Sequence, residues 1–259
     1  MTSILKTDEI QSQNGGSVVK MQTLKHPSSS SNNITLASTG IVTMASGNGY
    51  RLNSIQVFTT VGDNTWTKPP NVNAVLVYVT GGGGGGGAGD ASYNQGGGGH
   101  GAGTAIKWIT SGLGDQETAH VGNFGAGASS AGGEGGTGGT SSFGSHCSAT
   151  GGEGGRYATH NAQYKNPGSA SGVGTSGIAI SGGYGGGHHP NAIEGEGQGG
   201  TGGASFWGGG GGGAQQWNPY YATHGLAYGS GGGGGAHSGT YTPGYNGKEG
   251  IIVVWEYIG

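Results

Sequence analysis

Apolar positions gather in short runs near the two ends of the chain and are sparse between them. The runs over 17–24, 33–38, 40–46 and 52–61 are rich in Val, Ile and Thr, and several alternate with polar positions. Each predicts a strand or a short helix. The stretch HPSSSSNN over 26–33 reads as a loop. AVLVYVT over 74–80 predicts a strand, and GIIVVWEYIG over 250–259 predicts another. Strands pair edge to edge, so these two can be neighbours although they lie far apart in sequence. TAIKWIT over 104–110 and ETAHVGNF over 117–124 are weaker strand candidates. Together they predict a small β platform.

Between the platform strands the pattern changes. The chain has 69 glycines in 259 residues, most of them after Thr80. Glycine costs about 0.5–1 kcal/mol relative to alanine in a helix or strand interior. It does suit polyproline-II geometry, with about three residues per turn and about 3.1 Å rise. Such segments can satisfy one another's N–H and C=O groups when packed side by side, and only glycine permits that approach. GGEGGTGGT over 132–140 shows the period of three directly, with Glu134, Thr137 and Thr140 on one edge.

The expected fold is therefore mostly irregular and β: a polyglycine-II helix sandwich of about ten glycine-rich helices in layers. A small β platform and a separate N-terminal attachment region complete it. The segments are 81–89, 96–103, 122–127, 132–139, 151–155, 168–177, 182–187, 195–203, 208–213 and 229–235. The expected division is 1–73 for the attachment region and 74–259 for the sandwich.

If the segments run up and down, the loops sort to two ends. One end takes 90–95, 128–131, 156–167, 188–194 and 214–228. The other takes 104–121, 140–150, 178–181, 204–207 and 236–250. The first set carries Tyr93, Asn94, Tyr157, His160, Tyr164, His188, His189, Trp217, Tyr220, Tyr221, His224 and Tyr228. Tyr, Trp and His set among Asn, Ser and Gly give large rigid contact area with adaptable hydrogen bonding, the chemistry of a recognition surface. All but Tyr228 are candidate receptor-binding residues. Phe206 and Trp207 fall in a short loop of the second set and read as packing residues.

Composition narrows the function. Charged residues are 8 % of the chain, against roughly 25 % in ordinary domains. The net charge of −3 leaves no basic patch for nucleic acid or for an anionic membrane. No apolar run is long enough to span a bilayer. Cys147 is the only cysteine, so no internal disulfide is expected. The N-terminal stretch lacks the basic and apolar regions of a signal peptide, which predicts synthesis in a cytoplasm.

Candidate chemistry is thin. G-x-G-x-x-G matches are trivial here, and no P-loop or G-x-S-x-G elbow is present. Glu134, Glu153, Glu194 and Glu196 read as segment edges rather than paired catalytic acids. His188 and His189 are adjacent and lack a third ligand at defined spacing. No catalytic group, metal or cofactor is expected.

TGGGGGGGAG at 80–89, GGTGGASFWGGGG at 199–211 and GKEGIIVVWEY at 247–257 carry a resemblance. With the alternation of glycine motifs and coloured segments, the chain resembles the distal long-tail-fibre adhesins of T-even-type bacteriophages, close to those of Salmonella-infecting members. The resemblance implies a three-layered polyglycine-II sandwich. It implies an N-terminal region docked on the tip of the trimeric long tail fibre, and so a place at the distal tip of the virion. It also implies distal loops that bind a host outer-membrane protein, typically a porin. Alternatives are a tail-fibre assembly chaperone and a binder of surface lipopolysaccharide.

Overall fold

A computed structural model describes residues 23–24, 34–36, 42–44, 49–90, 94–158, 172, 174–187, 197–215, 222–236 and 242–259. The chain divides into two compact units, Met1–Arg51 with Gly259, and Leu52–Ile258. In the first, β1 (Thr23–Leu24), β2 (Ile34–Leu36) and β3 (Val42–Met44) form an antiparallel sheet in that order. All three fall inside the predicted apolar runs.

The second unit holds two five-stranded sheets. One contains β4 (Arg51–Phe58), β6 (Ala74–Thr80), β8 (Thr104–Ile109), β14 (Ile178–Ile180) and β15 (Ile251–Ile258), in the order β14-β8-β6-β15-β4. The other contains β5 (Gly62–Thr67), β9 (Gln116–Val121), β10 (Ser141–Phe143), β11 (Cys147–Ala149) and β13 (Gly174–Thr175), in the order β13-β11-β10-β9-β5. A two-stranded pair joins β7 (Gln95–Gly96) to β12 (Tyr157–Ala158). The expected partnership of the two flanking strands is present: β6 and β15 pair antiparallel from Ile251↔Thr80 to Tyr257↔Ala74.

Period-two alternation builds the core between the sheets. Val75, Val77 and Val79 of β6 and Ile252 and Val254 of β15 are buried with Trp66, Ala119, Val121, Phe143 and Ala149. Trp66 and Phe143 meet edge to face at 5.5 Å. Full burial of a Val, Ile or Phe side chain contributes about 1.5–3 kcal/mol. Glu256 continues the inward alternation of β15 and is fully buried. Its Oε1 accepts from Trp66 Nε1 at 2.7 Å and Gln56 Nε2 at 2.6 Å, and its Oε2 from Ser54 Oγ.

This overturns the expected polyglycine-II helix sandwich. Among the described residues there is no helix, and the regular structure is strand, most of it in two antiparallel five-stranded sheets. The reason is energetic. Segments with Val, Ile, Trp or Phe gain ladder hydrogen bonds and apolar burial together, whereas glycine brings no side chain to bury. The β part is thus larger than a platform. GDNTWT, SSF and CSA, none of them an apolar run, are drawn in as β5, β10 and β11 by Trp66, Phe143 and Ala149. Residues 52–73, read from sequence as part of the attachment region, lie in the second unit and supply most of β4 and all of β5.

Among the described residues the glycine-rich segments are mostly neither helix nor strand, yet their backbone groups pair extensively. Along 82–89 the N–H groups serve three neighbours in rotation. Gly82, Gly85 and Ala88 donate to Gly139, Gly136 and Gly133; Gly83, Gly86 and Gly89 donate to Lys248, Tyr245 and Thr242; Gly84 and Gly87 donate to His100 and Gly97. The distances are 2.8–3.0 Å. Backbones must touch for this. A Cβ placed on Gly84 would lie 1.9 Å from the Glu153 carbonyl oxygen, and one on Gly85 would lie 2.0 Å from that of Ala126.

These bonds also give direction. The segment 81–89 runs from Thr80 to Asp90, and 133–139 runs back beside it. The up-down sorting holds as far as 208–214 and then fails. Residues 222–225, expected inside an end loop, instead run along the body: Thr223 N donates to Gly212 O and Gly225 N to Asn246 O. The next segment, 230–236, therefore runs towards Asp90, with Gly232 N on Gly84 O and Gly235 N on Gly87 O. Thr242 bridges to Gly89, and 242–250 returns to the sheets. Gly235 and Thr242, described residues on either side of the connection after Ala236, both lie at the Asp90 end, not at the sheet end where 236–250 was expected.

Candidate functional site

Three of the expected recognition loops converge around one carboxylate. Asp90 ends the segment that leaves β6. Its Oδ2 accepts from Tyr157 Oη at 2.7 Å and from Asn94 Nδ2 at 2.9 Å, and its Oδ1 from Asn94 N at 3.2 Å. Pairing of β7 with β12 sets Tyr157 opposite Gly96 and so brings 156–158 beside 90–95. The third loop, 128–131, leads into Gly132 at the same point. Gly132 has φ +69°, and a Cβ there would lie 3.3 Å from the Tyr157 ring. Burial, then the hydrogen bond and charge of Asp90, push the Tyr157 phenol up to about 12, with Asn94 acting the other way. The phenol stays protonated and remains a donor to Asp90 throughout the neutral range.

Asn94 is buried and Tyr157 half-buried, so both hold the loops to the body. His224 is placed elsewhere. It is exposed on the flank, its Nδ1 accepts from Asn246 N at 3.0 Å, and its ring meets Tyr245 at 5.4 Å. Tyr228, expected at the recognition end, lies at the sheet end, where its carbonyl accepts from Ser205 Oγ at 2.6 Å. Tyr93, His160, Tyr164, His188, His189, Trp217, Tyr220 and Tyr221 lie outside the described residues. The described flanks of two of these stretches can be placed. Gly98 N donates to Gly186 O, Gly200 N to Gly96 O, and Ala214 N to Gly234 O, all within a few residues of the Asp90 end.

Phe206 and Trp207 are at the sheet end, as expected, but both are exposed rather than packed away. Trp207 Nε1 donates to Thr80 Oγ1 at 2.9 Å, and both rings lie about 6 Å from Tyr78. Among the described residues no three His, Cys, Asp or Glu side chains gather as metal ligands.

Sequence reasoning passed over His100. It interrupts a glycine run, is fully buried, and neither ring nitrogen has a hydrogen-bond partner. Its ring meets Tyr184 edge to face at 5.5 Å. Burial holds its pKa below the ordinary 6.5; Glu153 opposes this and Arg156 adds to it.

The sequence model of a glycine-rich domain family matches residues 59–257. The chain belongs to this glycine-rich domain family. No curated protein matches it. The matched stretch of the glycine-rich domain begins just before β5, ends within β15, and includes the convergence at Asp90.

Proposed function

We propose that this glycine-rich domain protein is the adhesin at the tip of a bacteriophage long tail fibre, gripping a host outer-membrane protein, typically a porin, through the loops at its Asp90 end. The observation that supports this reading is the division between body and end. The body is held by main-chain bonds, and at most of its described glycines a Cβ would collide with neighbouring backbone. The loops whose described flanks lie at the Asp90 end carry Tyr, Trp, His and Asn in their sequence, which bind protein surfaces at low entropic cost. The resemblance to tail-fibre adhesins points the same way. In this reading the N-terminal region docks on the trimeric fibre, and the role calls for no catalytic group, cofactor or nucleic acid.

The test is adsorption. Particles carrying this chain are mixed with host cells and with strains lacking single porins. A Gly-Ser spacer of equal length then replaces 156–167. Loss of adsorption on one porin-deficient strain, matched by the spacer variant on wild-type cells, is the expected result. Unchanged adsorption of the spacer variant would remove the loops from the role. Absence of the chain from finished particles would favour an assembly chaperone instead.

A further inference from the structure

An open pocket of about 520 Å³ lies at the sheets, where the β10–β11 turn and the turn between β13 and β14 approach β8. Its wall includes Lys107, His146 and the hydroxyls of Ser142, Ser145, Ser148 and Thr175. Among the described residues no carboxylate lines it. Two left-handed turns shape the rim: Gly144 has φ +47° and Ser176 has φ +61°. The second is a conformation that residues with side chains seldom adopt, and such outliers cluster at binding sites. Ser176 Oγ and Lys107 Nζ both donate to the His146 carbonyl, at 2.9 and 2.7 Å, which pins the two turns to β8.

The groups left over define the ligand. A lysine ammonium has three N–H donors, and Lys107 uses one. It forms no ion pair among the described residues, whereas Lys68 is beside Asp115 and Lys248 beside Glu249. Glu117 Oε1 lies 3.2 Å from His146 Nε2 and so orients the ring, leaving Nδ1 without a partner. The hydroxyls of Ser142 and Ser145 make no hydrogen bond among the described residues. Cys147 also borders the pocket, but burial pushes its thiol up to about 11 against the pull of Lys107. It is protonated at neutral pH, so the pocket offers binding groups and no nucleophile.

We propose that this pocket binds an acidic sugar, a ring bearing a carboxylate or phosphate. The oxyanion sits at the Lys107 ammonium, His146 Nδ1 accepts from a ring hydroxyl, and further ring hydroxyls exchange hydrogen bonds with Ser142 and Ser145. Hydroxyls both donate and accept, which matches a polyol; an unpaired ammonium calls for an oxyanion. The proposal rests on the pocket alone and not on the adhesin reading, since the pocket is at the opposite end of the unit from Asp90.

The experiment titrates the full chain with glucuronate, glucose 6-phosphate, glucose and inorganic phosphate, read by NMR at the His146 ring and by calorimetry. A saturable His146 shift with an acidic sugar, at least about tenfold weaker with glucose or phosphate alone, is expected. Lys107→Met should weaken binding by about tenfold or more, the usual effect of losing a charged hydrogen bond. Ser145→Ala, on the exposed turn, should weaken it a few-fold with an unchanged melting temperature, and keeps the test open if Lys107→Met does not fold. No saturable shift with either acidic sugar overturns the proposal, as does phosphate alone binding as tightly. Full affinity in both variants overturns it too. Cell adsorption is measured separately, so this result leaves the adhesin reading where it stands.

Discussion

Glu256 enters the core on the alternation that carries Ile252 and Val254, and three donors from β4 and β5 meet its carboxylate. Replacing it with leucine leaves the Trp66 indole N–H buried with no acceptor. Glu256→Leu should cost about 1–3 kcal/mol in chemical denaturation, the penalty of an unsatisfied buried donor, and Glu256→Gln should cost less because one acceptor remains. Equal stability of the two variants would show that the donors find other partners. His100 gives a pH effect of definite sign. Its folded pKa lies below 6.5, so above that pH both folded and unfolded states carry a neutral ring. As pH falls through 6.5 the unfolded chain takes up the proton first, and stability drops until the folded pKa is reached. Thermal melts from pH 8 to 5 should show wild type losing stability relative to His100→Leu; parallel curves would refute the account. Neither residue was visible beforehand. In VVWEYIG the glutamate looks like a solvent-facing break, because its partners are about 190–200 residues away along the chain. His100 shows only as an interruption in a glycine run, since burial by bare backbone leaves no apolar pattern to read.

At the scale of elements, β6 and β15 were legible because Val and Ile repeat in them, and so was their pairing. β5, β10 and β11 were not, because one large apolar residue recruits a polar strand. The glycine segments were marked by composition, yet composition says nothing about which glycines are obligatory. Geometry does. A Cβ at Gly84 would collide with the Glu153 backbone, while one at Gly209 would meet nothing within 4 Å. Gly84→Ala should therefore cost more than about 3 kcal/mol, the upper range for overpacking, since backbone rather than a mobile side chain must give way. Gly209→Ala should be neutral or slightly stabilising through reduced freedom of the unfolded chain. Circular dichroism melts of the pair decide it: if both melt alike, close backbone contact is not what selects glycine.

For the whole molecule, the consequential misreading is that of 222–225. ATHG holds one glycine, so composition assigned it to an end loop, but its backbone bonds make it part of the body and reverse the direction of everything up to Thr242. That redraws what can be exchanged. Thr223 N donates to Gly212 O, Thr223 O accepts from Gly233 N, Thr223 Oγ1 accepts from Gly212 N, and His224 Nδ1 accepts from Asn246 N. A graft of 216–221 from a relative with another host touches none of these bonds, and the melting temperature should stay within a few degrees. A graft of 214–228 removes the two side-chain bonds, those of Thr223 Oγ1 and His224 Nδ1, wherever the donor sequence differs at Thr223 and His224. At about 1 kcal/mol for each of two bonds, and about 2–4 °C per kcal/mol for a unit of this size, it should melt about 4–8 °C lower. Both grafts should transfer or abolish host adsorption equally. Equal melting of the two would put 222–225 back among the loops, and an unchanged host range with the shorter graft would take 216–221 out of the receptor contact.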